Sequence, residues 1–472
     1  MTDKEILLAF IALYLLGTLA IGWWASRFVK TTSDFITASR QMPMMIVVTE
    51  MFSDWFGSET VMGASSEFVE KGLLGVIEDP FGAALCLFII GVFLARKLYN
   101  LNLNTFSTYF RNRFSHRAET VSALMMLPSY FGWISAQFIA LGVIINSISN
   151  FPVTQAIFIC GFIVMLYTYI GGMYAIAYTD FIEAIFIIGG LLIILFIMLH
   201  KVGGIGNVVS HAPEGTFRFL PKPHFKNIIE YIAAWITVGL GSVPQQDVFQ
   251  RIMSARTEKI AIRSAIIAAF MYLTIAMIPL IIALISTQLY PDLIKVGEKN
   301  QNLIPLMVLR EGSLLVQILF FGALLSGIMS TSSSAILASS TVIGENLVRP
   351  FYKNMSDKKL LSIMRISVVG LTLVAVIIAV YTKDIYELVG NSSRISLVSL
   401  FTPLVFGLYW KKGTAWGAMA SMIVGCAVWM LCEHYETEYP TIIYGLLASV
   451  TSMILFSYLE RYWKKTPEKI QV

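Results

Sequence analysis

Five consecutive hydroxyl side chains, Ser330, Thr331, Ser332, Ser333 and Ser334, stand inside the stretch GALLSGIMSTSSSAILASS, whose flanks are small and apolar. At about 100° per residue, Ser330, Ser333 and Ser334 share one helical face, Thr331 borders it and Ser332 points away. The result is a patch of oxygens at membrane depth. Neutral hydroxyls with backbone carbonyls suit sodium, a hard cation that must be held and then released. Two plainer readings of the same serines stay open: each hydroxyl can return to a carbonyl one turn earlier, and small residues let helices pack closely. Asp180, in GGMYAIAYTDFIEA, is an ionisable residue at the end of another apolar run. It is either the anionic partner of the hydroxyls or an interfacial helix cap.

Two other stretches set polar side chains beside glycine or proline within apolar runs. SDWFGSETVMGASSE carries Gly57 and Gly63 with Ser53, Asp54, Ser58 and Glu59. VGLGSVPQQDVFQR carries Gly239, Gly241 and Pro244 followed by Gln245, Gln246 and Asp247. Transporters built from inverted repeats interrupt one helix per half in this way, and solute and ion sit at the breaks. A helix unwound at Gly57 would free carbonyls to complete an ion shell. The plain alternative is that Gly and Pro are simply frequent in membrane helices.

The elements that must position these residues are membrane spans. The chain is 57% hydrophobic and 13% charged, against about 45–50% and about 25% in soluble domains. With about 20 residues per span, apolar runs fall at 5–27, 44–66, 73–96, 119–146, 154–171, 177–199, 229–250, 261–287, 313–340, 363–382, 386–410, 413–433 and 440–459. The expectation is an all-α integral membrane protein of about thirteen transmembrane helices. The interrupted spans are the second and the seventh, and each opens a group of five. An odd number per group inverts the second group relative to the first. The divisions are then 1–43 (first peripheral helix and loop), 44–228 and 229–410 (the two repeats) and 411–472 (two peripheral helices and a short tail).

The first run follows the acidic-leaning MTDKE and lacks a basic leader, so a cleaved signal peptide is not expected. Lys and Arg cluster at 27–40, 96–117, 251–263, 349–365 and 411–412 and in the tail RYWKKTPEK. All lie on one side if the N-terminus is outside and the C-terminus cytoplasmic, at the cell membrane. The basic loop 200–228 is the exception, and long loops weigh less in that rule. The net charge of +5 thus follows from topology and points to no nucleic-acid partner. Cys86, Cys160, Cys426 and Cys432 stand singly in apolar runs and read as small buried residues. With about a dozen residues after the last span, an appended catalytic or signalling domain is not expected.

In their order, SDWFGSETVMG, YIGGMYAIAYTD, GSVPQQDVFQR and GIMSTSSSAILASS resemble the sodium:solute symporter family over spans one to eleven or more. The resemblance implies the leucine-transporter fold, with a 5+5 inverted-repeat core. It implies a first sodium site made of the backbone carbonyls of Ser53, Phe56 and Gly327 with the hydroxyls of Ser330 and Thr331. A second site, present in some members, would use Ser330, Ser333, Ser334 and Asp180. The pattern G-x-x-P-x-Q-x-x-F-Q-R is most similar to the high-affinity choline transporter branch, which boxes its cation in aromatic rings. Trp55 and Trp133 match two of those rings, while the other two positions are Ala83 and Gln245 here. That half-dismantled box implies a ligand with a hydrogen-bonding group. Asp54 is a candidate partner for a cationic solute, or else is solvated in the cavity.

The reading is a symporter importing a small organic solute, an amino acid, betaine or choline-like compound, with Na⁺ by alternating access. A proton-coupled transporter of the same fold and a membrane sensor that binds without transporting are the alternatives. A membrane enzyme would show clustered His, Asp or Glu at nucleophile or metal spacing, and the chain carries no such pattern. Beyond solute, sodium ions and the lipid bilayer, no partner or oligomer is implied.

Overall fold

In the computed structural model, residues 3–294, 300–352, 354–382 and 384–465 are described. Lys353 and positions 466–469 of the basic tail lie outside them. The described residues form helices and turns and no strand; one isolated bridge joins Met42 to Ala255.

Among the described residues, ten helices are long and apolar enough to cross a membrane. The first expected span is α1 (Asp3–Ala25). The second divides: α2 (Met44–Trp55) opens after Pro43 and stops at Phe56, whose φ of −93° and ψ of 68° leave the helical region. The chain then resumes helical turns from Glu59 and runs through α3 (Ala64–Lys71) toward Leu101 with changes of pitch. Ser115 caps α4 (His116–Ser149) by accepting from the Ala118 amide. The runs at 154–171 and 177–199 join in one 50-residue helix, α5 (Val153–Val202), which turns at Gly172. Its φ of +53° and the Phe35 ring where a Cβ would stand both require glycine there.

The seventh span divides as well, into α6 (Phe225–Gly241) and α7 (Gln246–Ser254), each too short to cross alone. Pro244 lies between them, with no N–H to continue the ladder. After these come α8 (Glu258–Leu289), α9 (Leu314–Val342), α10 (Asp357–Tyr381) and α11 (Ile385–Ser396). The last two crossings are α13 (Ala415–His434) and α14 (Thr441–Lys465), with the short α12 (Thr402–Tyr409) before them. Length and composition therefore count ten where about thirteen were expected. Two broken helices and one continuous pair account for the difference.

The surface and interior reverse the pattern of a water-soluble protein. Leu13, Phe196, Leu315 and Ile366 are exposed, while Ser53, Asp180, Gln245, Arg251, Ser333 and Ser334 are fully buried. An apolar exterior suits lipid, and the buried polar groups must pair with one another. α9 lies against α4, α5 and the stub α2, so the serine-rich helix is the axis of the polar interior.

Candidate functional site

The break after α2 is held open by side chains that replace the missing helical bonds. The Ser58 amide donates to Gln137 Oε1 at 2.9 Å, and Gln137 Nε2 donates to Glu59 Oε2 at 2.8 Å. Close backbone approach does the rest. A Cβ on Gly327 of α9 would stand 2.2 Å from the Phe56 carbonyl oxygen, so the break presses directly on α9. Thr331 Oγ1 donates to the Ser53 carbonyl at 3.4 Å. Ser53, Phe56, Gly327 and Thr331 are thus brought together, and Ser330 adjoins them by donating to Asp180 Oδ1 at 2.6 Å.

Asp180 is fully buried within α5, and its backbone carbonyl accepts from Ser53 Oγ at 3.2 Å. Of its two readings, the interfacial cap is excluded. The remaining hydroxyls divide. Ser332 and Ser333 return to carbonyls of their own helix, Ile328 at 2.7 Å and Ser330 at 3.0 Å. Ser334 accepts from the Arg251 guanidinium.

Arg251 corrects the expectation that it belongs to a basic loop. It is fully buried on α7. Its Nη2 is 3.0 Å from Asp54 Oδ1 and 3.9 Å from Asp180 Oδ2, and its Nη1 donates to the Asp247 carbonyl at 3.2 Å. Asp54, considered for a cationic solute, is therefore occupied with an internal cation. Glu50 and Asp247 are buried nearby, Glu50 accepting from Ser254 Oγ at 3.0 Å and Asp247 from the Tyr130 hydroxyl. Four carboxyl groups thus gather around one guanidinium, which is the internal cation beside Asp54 and Asp180.

On the other side of the break lies a small cavity of about 20 Å³, room for about one water-sized group. Trp55 and Trp133 form one corner, their rings edge to face with centroids 6.1 Å apart. Ala83, Glu59, Glu78 and Asp79 also line it. Gln245 and Asp54 are not among the lining residues. Gln245 is fully buried at the start of α7, and neither atom of its amide has a hydrogen-bond partner. The second break reaches the cavity instead through Val238 and through Ser393, whose hydroxyl meets Ser242 Oγ at 2.9 Å.

Sequence reasoning missed Arg251, Asp79, Gln137 and Tyr272. Arg251 follows Asp247 by one helical turn, and the acidic pair Glu78–Asp79 interrupts an apolar run. Both were visible signals of buried charge. The Tyr272 hydroxyl of α8 lies 2.6 Å from Asp79 Oδ1 and 2.9 Å from the Trp55 carbonyl, its one proton shared between them, and so ties the carboxylate to the break.

Known proteins place this architecture. A Na⁺-coupled sialic acid symporter, solved substrate-bound in an outward-open state, superposes with a TM-score of 0.84 at 19% identity, covering 96% of this chain and 97% of that one. MhsT in complex with L-phenylalanine superposes with a TM-score of 0.57 at 12% identity, covering 89% and 98%. In sequence, the human high affinity choline transporter 1 is 27% identical over 89% of this chain and 75% of its own length. The osmoregulated proline transporter OpuE of Bacillus subtilis is 25% identical over 96% and 94%. Residues 35–425 match the sodium:solute symporter family. With the broken helices, the hydroxyl-bearing α9 and the match over most of its length, the chain belongs to the sodium:solute symporter family.

Proposed function

We propose that the protein imports a small organic solute together with one sodium ion by alternating access, the ion at Ser53, Phe56, Gly327, Ser330 and Thr331 and the solute against the corner that Trp55 and Trp133 form. The observation that carries this reading is the position of Gly57. A Cβ there would meet Thr331 Oγ1 at 2.9 Å on the ion side, and Glu59 Oε2 at 2.5 Å and Gln137 Oε1 at 2.9 Å on the cavity side. One backbone position touches both groups of ligands, so occupancy of one side bears on the geometry of the other.

The second oxygen set, Ser330, Ser333, Ser334 and Asp180, holds no separate ion in this reading. Arg251 is its tethered cation, bonded to Ser334 and close to Asp180. The solute is of the small organic kind that the choline and proline transporters among its relatives are named for. Thirteen crossings form with the two broken helices counted as spans and α5 counted as two, the N-terminus outside and the C-terminus cytoplasmic in the cell membrane. Helices of 44–228 and 229–410 make the two inverted repeats.

Uptake by proteoliposomes under an inward sodium gradient tests this. Solute accumulation that requires Na⁺ and collapses when the gradient is removed is the expected result. Accumulation driven equally by a proton gradient without Na⁺ would favour the proton-coupled alternative, and Na⁺-dependent binding without accumulation would favour a sensor.

A further inference from the structure

The cavity at Trp55 and Trp133 is walled by three carboxylates, and one of them has a basic partner: Arg394 Nη2 is 3.6 Å from Glu78 Oε1. Among the described residues, Glu59 and Asp79 form no ion pair. They are 3% and 5% exposed. Each uses one oxygen within the protein, Glu59 Oε2 on Gln137 and Asp79 Oδ1 on Tyr272. The other oxygens, Glu59 Oε1 and Asp79 Oδ2, are buried without a partner. Trp133, 4% exposed, likewise leaves its indole N–H without an acceptor.

Buried acceptors of this kind are costly unless something donates to them. Two half-satisfied carboxylates beside two indole rings match a ligand that brings positive charge and N–H groups together. The rings face the charge, and the oxygens take the protons. A quaternary ammonium has the charge but no N–H and would leave both oxygens unpaired. An amino acid would bring its own carboxylate against three others. The adjoining vestibule shares Glu78 and adds Glu230, Glu433 and Glu438 against Lys226 and Arg394. Acids outnumber bases there, which draws cations toward the cavity.

We propose that the solute is an organic cation carrying N–H donors, a protonated amine or a guanidinium. The inference rests on reading this cavity as the solute site and goes on to name the chemical class that it takes.

The test is binding to the purified full chain, by thermal shift and calorimetry with and without Na⁺. The probes are ethanolamine, its N-methyl and N,N-dimethyl derivatives and choline, with putrescine, agmatine, proline and glycine betaine alongside. Charge is constant from ethanolamine to choline while N–H groups disappear one by one. Affinity is expected to fall along that series, by at least about tenfold in all. Glu59→Gln and Asp79→Asn are each expected to weaken the best amine or guanidine by at least about tenfold. Stabilisation by Na⁺ alone, retained in both variants, shows that they fold.

Choline binding tightest of the series would overturn the proposal, as would failure of every N–H-bearing cation at millimolar concentration. If an amine or guanidine binds with the same affinity whether or not Na⁺ is present, the coupling reading fails and the cation assignment stands. If proline or glycine betaine alone binds, and only with Na⁺, the coupling reading stands and the cation assignment fails.

Discussion

Ser330 and Thr331 direct their hydroxyls to Asp180 and to the Ser53 carbonyl, whereas Ser334 accepts from Arg251. The three should therefore respond differently to loss of the hydroxyl. Ser330→Ala and Thr331→Ala each remove a hydroxyl of the proposed sodium site and are expected to weaken sodium affinity by about tenfold or more, since buried ligand groups are worth about 1–3 kcal/mol. Ser334→Ala is expected to lower stability by about 1–3 kcal/mol and to leave the sodium requirement within about twofold. Sodium titrations of uptake, paired with thermal melts, measure both effects. A sodium requirement shifted most by Ser334→Ala would mean that Arg251 does not hold that position. At the cavity, Trp55→Ala is expected to cost about 1–2 kcal/mol of binding for a cationic solute, with Trp55→Phe restoring much of it. Equal loss in both variants would point to shape rather than ring electrostatics.

Two glycines set how the elements meet, and their neighbours differ in kind. At Gly327 the obstructing atom is the Phe56 carbonyl, which is backbone and part of the α2 break. Gly327→Ala must push α9 away from that break, at a cost of about 1–3 kcal/mol for overpacking, and should damage sodium binding and stability together. At Gly57 the nearest atoms are the ends of Glu59, Gln137 and Thr331, which can shift. Gly57→Ala is therefore expected to fold while raising the half-saturating concentrations of both sodium and solute. Initial-rate uptake with each varied in turn separates the two. A change in only one would remove Gly57 as the junction between ion and solute. The long helix α5 makes the same point about elements. Its bend at Gly172 lets one continuous run carry Asp180 into the interior beside Ser53.

For the whole molecule, the charge moved per cycle follows from the occupants. One sodium ion with a monovalent organic cation carries two charges inward. At about 2.3 kcal/mol per charge for 100 mV, the membrane potential contributes about 4.6 kcal/mol. Half of that would come with a neutral solute. Reversal potentials and ²²Na flux in liposomes are expected to give a sodium-to-solute ratio of one and a charge-to-solute ratio of two. A sodium ratio of two would place a second ion beside Asp180 and Ser334 and require Arg251 to leave. The buried arginine is a thermodynamic commitment of the entire fold. Its carboxylate neighbours come from α2 and α5 as well as its own helix, and removing one partner of such a buried set costs about 3–5 kcal/mol.

The apolar runs, the glycine and proline breaks and the common face of Ser330, Ser333 and Ser334 were legible in the chain because each depends on local composition or on the period of a single helix. Those features were enough for the membrane class and the two interrupted helices, while the family came from the resemblance of the motifs around them. The partner of each polar group was not legible, because a helix's periodicity says which face is polar but not what faces it. Ser334 lies 83 residues from Arg251, and Tyr272 lies 193 from Asp79. Arg251 consequently looked like one more basic loop residue until packing surrounded it with Asp54, Asp180 and Glu50. Likewise, Glu59 and Asp79 became walls of one cavity only when the break after α2 folded back beside the acidic pair. Tertiary structure decided these assignments because removal of charge from water is tolerable only where distant segments supply its partners.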